Sequence, residues 1–287
     1  MYVRTVDFTA NNACDEFTKS IHETGFAVIK NHPISQDLID QVLDEWQAFF
    51  KDDKKHSYLP EPGKQDGYFP YKIENAKGSE YSNLMEYFHY FQQCGLPEGM
   101  SEVTKKLFTQ MQNVALTLVD WLDEMTPKET SKNFEMPIRE MVKDSPNSLM
   151  RIIHYPPLDG SETPGEIRAG EHEDIDLITL ICGATTEGLQ AKDNEGNWHA
   201  VRASADMIVV NAGDMLQELS QGYYRSTTHR VINPEGAVNN KPRYSMPFFF
   251  HPWPEVKLSE NVIVKDFLKK RLVETGVFDE SQDLKVS

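Results

Sequence analysis

Apolar positions along the chain change their spacing near residue 145, and the change divides the sequence into two kinds of element. Before it, the pattern is mostly helical: a helix opening at Asn12 carries Phe17 and Ile21, and one starting at Ser35 lines Leu38, Val42, Trp46 and Phe49 along one face. A short strand is expected from Phe26 to Ile29, between those two helices. A longer helix opens at Ser101 with Leu107, Met111, Val114, Leu118 and Trp121 or Leu122 as its buried stripe. From Ser148 to about Trp253 the period shortens toward two, in the runs Leu149 to Tyr155, Leu177 to Cys182, Gly188 to Ala191, Trp198 to Val201, Met207 to Asn211, Thr228 to Ile232 and Tyr244 to Phe250. The polar stretches DNEGN, NAGD and NPEGAVNNKP supply turns between them. Short strands with polar turns predict an antiparallel sandwich or jelly roll, so the fold class is mainly β with α. Val262 to Leu272 reads as one further helix packed outside. No repeat or long linker interrupts the chain, so residues 1–145 form a helical cap region, 146–255 the strand-rich core and 256–287 a helical tail of one compact unit.

Composition narrows the partners. With 29 Lys plus Arg against 45 Asp plus Glu, the formal charge of -16 repels phosphate backbones and anionic membranes, so neither nucleic acid nor a membrane is an expected partner. At 39% hydrophobic and 26% charged residues the chain is of the globular, not the disordered, kind. A unit of this length buries roughly three quarters of its unfolded surface and needs no disulfide or metal staple. The three cysteines, Cys14, Cys94 and Cys182, stand in no paired motif and read as free, buried thiols in a reducing compartment. The opening MYVRTVDFTANNACDEF has no apolar leader, and no run reaches the roughly eighteen apolar residues of a membrane span, so a cytoplasmic location is expected.

Candidate chemistry sits in the strand-rich half. His172-Glu173-Asp174 is followed after 54 residues by His229, and after 13 more by Arg243-Tyr244-Ser245. Two imidazoles and a carboxylate on one face of an Fe(II) leave adjacent positions open for a bidentate ligand and O2. A bare His-x-Asp is weak evidence, since roughly 0.6 matches arise by chance in a chain of this makeup. Its placement before an apolar strand, with His229 at the start of another, is what discriminates. Arg243 and Ser245 share a strand face, where a planar guanidinium beside a hydroxyl makes a directional carboxylate clamp. The bland alternative for Arg243 is an ion pair with an Asp or Glu.

The stretches GFAVIKNHPIS, LMRIIHYPP, HEDIDLITLI, GLQAKDNEGNWHAV, VVNAGDMLQELSQGYYRSTTHRV and PRYSMPFFFHP resemble the isopenicillin N synthase-like family of Fe(II) oxygenases, most of which use 2-oxoglutarate. The resemblance runs in order from about Asp7 to Pro254. It implies a double-stranded β-helix (cupin-like jelly roll) core with N-terminal and flanking helices, and iron held by His172, Asp174 and His229. It implies also that Arg243 and Ser245 hold the distal carboxylate of 2-oxoglutarate, with Tyr155 matching a tyrosine that contacts cosubstrate or substrate. The implied reaction is hydroxylation, desaturation or ring closure at a C–H bond of a small molecule, consuming O2 and releasing succinate and CO2.

Two positions depart from the family pattern. Ile153 stands where plant members often carry an Asn that contacts the cosubstrate. This keeps open a 2-oxoglutarate-independent oxidase of the isopenicillin N synthase or aminocyclopropane-carboxylate oxidase type, in which the Arg and Ser serve another anion. Asp176 stands where the family commonly has Gly, Asn or Ser, and reads as a solvated turn residue in preference to an acceptor behind a ligand imidazole. A non-catalytic scaffold would need a broken ligand position, and none is broken.

Other polar residues have plain readings. Arg151 and Arg225 share strand parity with Tyr155 and His229 and could face the interior and meet an anionic substrate, but end-of-strand arginines more often reach solvent or a surface carboxylate. Arg168, in the stretch Asp159 to Gly170, reads as a loop charge. His154 should point away from Tyr155, and the remaining histidines read as structural. The aromatics between Gly63 and Tyr90 resemble the family segment that folds over the mouth of the site, with interdomain packing as their plain reading. No phosphate loop or GxSxG elbow is present.

Overall fold

Side chains alternate across the strands of a large sheet, and each side builds its own core. The computed structural model describes residues 1–75 and 80–274. The strands of its two main sheets are β1 (Thr5–Asp7), β2 (Phe26–Lys30), β3 (Gly67–Phe69), β4 (Glu86–Phe91), β5 (Leu149–Tyr155), β6 (Ala169–His172), β7 (Ile178–Cys182), β8 (Leu189–Lys192), β9 (Trp198–Ala200), β10 (Ile208–Ala212), β11 (His229–Val231) and β12 (Arg243–Phe250). The large sheet runs β1-β2-β10-β7-β12-β5-β4-β3 and the small one β6-β11-β8-β9. All neighbours are antiparallel except β1 with β2. Four strands of the large sheet, β5, β12, β7 and β10, oppose the four of the small sheet in the jelly-roll arrangement of a double-stranded β-helix.

On the outer side of the large sheet, Ala27, Ile29, Met150, Ile152, Val210, Met246, Phe248 and Phe250 pack with helices α1 (Ala13–Thr24), α2 (Gln36–Lys51) and α3 (Val103–Met125). On the inner side, Phe26, Val28, Ile153, Tyr155 and Val209 meet Ala169, Leu189, Ala191 and Val231 of the small sheet. The helices follow their apolar stripes: Leu107, Met111, Val114, Leu118 and Leu122 of α3 are fully buried, whereas Trp121 is only partly covered. Ser35 caps α2 by accepting a hydrogen bond from the Leu38 N–H at 3.3 Å. Asn12 precedes α1 but its side chain makes no capping bond. Gly25 ends α1 at φ 71°, where a Cβ would lie 2.3 Å from Thr227 Oγ1, so both the turn and the packing exclude other residues.

Two parts of the fold differ from the sequence expectation. The region before residue 145 carries more strands than the expected one at Phe26 to Ile29, because β1, β3 and β4 join β2 in the same sheet that carries the core strands. The run EYFHYF of β4 is buried along its whole length and so shows no alternation to read. Likewise β6, AGEH, emerges from the stretch read as a loop, since it has too few apolar residues to announce a strand. The three cysteines are free as expected, but Cys14 and Cys94 are half-buried and only Cys182 is enclosed. The C-terminal helix spans Val264–Glu274, and residues 275–287 of the expected tail lie outside the described residues, as do 76–79 of the aromatic segment. Among the described residues no helix is long and apolar enough to cross a membrane.

A buried polar cluster ties α2 to the sheet. Glu86 of β4 accepts hydrogen bonds from Lys55 Nζ at 2.8 Å, from His154 Nδ1 at 2.7 Å and from the Tyr68 hydroxyl. Burial pushes the Glu86 carboxyl up, and the bonds from His154, Lys55 and Tyr68 outweigh it, leaving the group below the usual carboxylate range. A depressed folded value means the cluster stabilises the fold above the ordinary carboxylate pKa and loses that contribution as pH falls through the folded value. Glu86→Gln is therefore expected to cost about 2–3 kcal/mol at neutral pH, a fall in melting temperature of roughly 5–10 °C for a chain of this size. Thermal melts across pH should show the gap to wild type closing in acid. An equal gap at every pH would mean the carboxylate charge is not what the cluster uses.

Candidate metal and carboxylate site

Between the two sheets lies a cavity of about 480 Å³. At its small-sheet wall, β6 and β11 pair so that His172 and His229 stand directly opposite each other, with ring centroids 4.3 Å apart. Asp174 follows β6 in the turn toward β7, and its Oδ1 lies 3.8 Å from His172 Nε2 and 3.7 Å from His229 Nε2. These separations are too long for hydrogen bonds, and one donor atom from each residue lies within 4.8 Å of the others.

Neighbours fix which atoms face inward. His172 Nδ1 donates to the Gly170 carbonyl at 2.8 Å and His229 Nδ1 to the Thr227 carbonyl at 3.1 Å, which leaves both Nε2 lone pairs free. Asp174 Oδ2 accepts from Thr179 Oγ1 at 2.6 Å and Asn211 Nδ2 at 2.8 Å, which leaves Oδ1 as the inward oxygen. Burial and the neighbouring His172 hold His229 below the ordinary imidazole range despite Asp174. Burial raises the Asp174 carboxyl, but His229, His172, Thr179 and Asn211 together bring it below the usual range. A neutral imidazole beside an ionised carboxylate is the state in which such groups bind a divalent cation. The donor set, two nitrogens and one oxygen with their other polar atoms already bonded, fits Fe(II).

The loop carrying Asp174 is pinned from below. The amides of Gly213, Asp214 and Met215, at the start of the helix Asp214–Leu219, donate to the carbonyls of Leu177, Asp174 and Asp176. Gly213 approaches so closely that a Cβ there would come 2.2 Å from the Asp176 carbonyl oxygen. Asp176 itself corrects the expectation of a solvated turn residue: it is fully buried, and its Oδ2 accepts from the Phe250 N–H at 3.0 Å and from Thr179 Oγ1 at 3.1 Å. It therefore shares the Thr179 hydroxyl with Asp174, and burial and the Asp174 charge push its carboxyl well above the usual range.

Farther along the large sheet, Arg243 stands opposite Tyr155 in the β12–β5 register, and the guanidinium lies 4.9 Å from the centre of the tyrosine ring. Arg243 Nη1 donates to Ser245 Oγ at 3.1 Å and Nε to the Thr186 carbonyl at 3.2 Å. The ion-pair alternative fails, because no described carboxylate lies within salt-bridge distance of this buried guanidinium. A buried cation with no counter-ion, opening on a cavity, is a cradle for an anion supplied from outside. Ile153 lines the same wall, opposite Ser245, and offers no polar atom there.

The other arginines divide differently from their plain readings. Arg225 is exposed and bonds Asn194, in keeping with a surface role. Arg168 is no loop charge: it is 1% exposed, donates from Nη2 to the Lys241 carbonyl at 2.7 Å, and lies 6.0 Å from the Tyr155 ring. Arg151 lines the cavity, as strand parity allowed, and also meets a carboxylate, Glu74, at 3.4 Å. His154 points to the opposite side from Tyr155, into the Glu86 cluster. Two histidines read as structural, His89 and His251, line the cavity as well. His251 could have been found by continuing the parity of Arg243 and Ser245 along β12, whereas His89 required recognition of β4.

Comparison with known proteins gives the following. The model of the 2OG-Fe(II) oxygenase superfamily matches residues 146–252, and that of the N-terminal region of a non-haem dioxygenase in morphine synthesis matches residues 5–112. The chain is 26% identical over 266 residues to gibberellin 2-beta-dioxygenase 3 of Arabidopsis thaliana, an alignment covering 87% of this chain and 75% of that one. It is 39% identical to a Shewanella oneidensis protein whose crystal structure is assigned to an oxygenase, with a TM-score of 0.87 over 97% of this chain and 100% of that one. The fold is also that of JOX2 in complex with 2OG, Fe and JA, at 18% identity and a TM-score of 0.75 over 95% of this chain and 85% of the other.

Proposed function

Because this chain belongs to the 2-oxoglutarate-Fe(II) oxygenase superfamily, we propose that His172, Asp174 and His229 hold its iron and that Arg243, Ser245 and Tyr155 hold the far carboxylate of 2-oxoglutarate. The chain is an Fe(II)- and 2-oxoglutarate-dependent dioxygenase, and the site assignment rests chiefly on the uncompensated Arg243 sharing one cavity with the His-Asp-His cluster. When bound, the iron and cosubstrate supply O2 activation coupled to oxidative decarboxylation, which yields succinate and CO2 and places oxygen on a C–H bond.

The chain's own residues set position and polarity. Thr179 and Asn211 hold Asp174 with one oxygen inward, and the Gly170 and Thr227 carbonyls hold the two imidazoles in one tautomer. Ser245 steadies the Arg243 fork, and the Tyr155 ring lies against its face. Inner-face side chains such as Phe26, Val28, Ile153 and Val209 form an apolar cluster beside these groups. The substrate we propose is a small molecule that is hydroxylated, desaturated or cyclised, in a chain whose acidity and free thiols suit the cytoplasm; residues 146–255 carry all six metal and clamp side chains.

Anaerobic addition of Fe(II) and then 2-oxoglutarate should give the weak visible charge-transfer band of a chelate, and admission of air should release succinate. Iron binding with neither the band nor succinate release would favour the oxidase alternative. Failure to bind Fe(II) at all would sink the assignment of the metal residues.

A further inference from the structure

Beyond the carboxylate clamp, the cavity wall carries a second guanidinium. Arg151 lies on the same face of β5 as Ile153 and Tyr155, four residues from Tyr155 and thus about 13 Å along the strand. Its Nε donates to His89 Nε2 at 2.7 Å, and His89 Nδ1 donates in turn to the Gln65 carbonyl at 2.8 Å, so the imidazole accepts as a neutral ring. Nη1 lies 3.4 Å from the Glu74 carboxylate, which also accepts from the Tyr87 hydroxyl at 2.7 Å. The guanidinium is held between rings, 4.2 Å from the centre of Tyr87 and 5.5 Å from that of Phe249. Among the described residues nothing bonds its Nη2.

This arginine differs from Arg243 in one decisive respect. Arg243 has no counter-ion, whereas Arg151 has Glu74 beside it, so the array is formally neutral before any ligand arrives. A carboxylate brought to Arg151 would meet the charge of Glu74 in a poorly solvated wall, while a carbonyl oxygen would take the open N–H without that repulsion. A complementary acceptor stands on the same sheet face: His251 donates from Nδ1 to the Phe249 carbonyl at 3.3 Å, which leaves Nε2 with a lone pair and no described partner. Burial keeps this ring neutral, its pKa lowered to about 4.

We propose that Arg151 selects the substrate of this cavity and takes a neutral carbonyl oxygen, of an amide, lactam or imide, in preference to a carboxylate. The inference deepens the oxygenase assignment and rests on it. Arg151 supplies a donor for the C=O of such a group, His251 stands as an acceptor on the same cavity wall, and the Glu74 charge disfavours the acid of the same shape.

The test uses full-length protein loaded with Zn(II) and 2-oxoglutarate, so that nothing turns over, and saturation-transfer NMR with isosteric pairs: benzamide and benzoate, phenylacetamide and phenylacetate, cyclohexanecarboxamide and cyclohexanecarboxylate. Wild type should bind the amide of a pair about tenfold more tightly than the acid, and Arg151→Met should lose about that factor, the worth of one hydrogen bond from a charged donor. Glu74→Gln should reverse the preference toward the acid, since it leaves Arg151 uncompensated; this variant carries the test alone should Arg151→Met not fold. Preference of wild type for the acids, amide binding unchanged in Arg151→Met, no reversal in Glu74→Gln, or failure of every amide to bind would each overturn the proposal. Binding of 2-oxoglutarate is read in the same samples, and its loss in wild type would count against the oxygenase site and not against Arg151.

Discussion

Asp174→Ala is expected to abolish measurable turnover while leaving a folded protein. Catalysis by a bound metal is worth several kcal/mol, and at about 1.4 kcal/mol per factor of ten its loss is at least roughly a thousandfold in rate. Asp174 is the only anionic member of the cluster, so its removal takes away the charge that pairs with a divalent ion as well as one of three donors. The stability balance is closer to even. Alanine strands the Asn211 amide and leaves the Thr179 hydroxyl to Asp176 alone, but it also removes a buried charge crowded against Asp176. The metal-free melting temperature should therefore stay within about 5 °C of wild type. Calorimetric titration with Fe(II) under argon, beside succinate release, checks both halves. A variant that kept full activity would remove Asp174 from the metal site, and one that lost its fold would make the residue structural.

Arg243→Met should weaken 2-oxoglutarate binding about thirtyfold or more, with iron binding unchanged. Truncating one partner of a buried, hydrogen-bonded charge pair costs roughly 2–5 kcal/mol, most of it from the charge left without a partner. Arg243→Lys should fall between the two, because an ammonium keeps the charge but loses the planar fork that addresses Ser245 and a carboxylate together. In the free protein the same substitution has the opposite tendency. Burial already holds the Arg243 pKa below its ordinary value, and methionine relieves that uncompensated charge, so the unliganded variant should melt at or above the wild-type temperature. A higher stability joined to a weaker cosubstrate constant would mark Arg243 as a residue kept for binding. Unchanged affinity for 2-oxoglutarate would assign the guanidinium to some other anion.

How much of this was legible in the chain depends on where a signal is stored. The strands β5, β7, β10 and β12 each have one face toward the helices and the other toward the inner space, and strand alternation already placed Arg243 and Ser245 on a common side, while the family resemblance joined Tyr155 to them. The spacing of His172, Asp174 and His229 was equally visible, since those side chains leave from two neighbouring strands or their immediate ends. What could not be read was stored in pairing between distant segments. β4 is covered on both faces and so has no period, and with it went the strand face that carries His89 beside Arg151. Asp176 looked like a turn residue because nothing local reports that Phe250 and Thr179 close over it. Arg168 carries no local sign of its burial for the same reason, since its cover comes from Tyr155 and from a carbonyl more than seventy residues away.

The alternation of β12 also bears on how such a protein can change over generations. Tyr244, Met246, Phe248 and Phe250 belong to the helix-side core, while Arg243, Ser245, Pro247 and Phe249 line the cavity. Two messages are thus interleaved in eight residues, and they tolerate different errors. Point changes at Pro247 or Phe249 can reshape the chamber while foldedness is inherited through their neighbours. A single-residue deletion inside the strand shifts the frame of both messages together, turning phenylalanines toward the metal and the clamp toward the helices. A strand built this way can acquire a new chamber by substitution, whereas a change of length is tolerated only in the turns that join the strands.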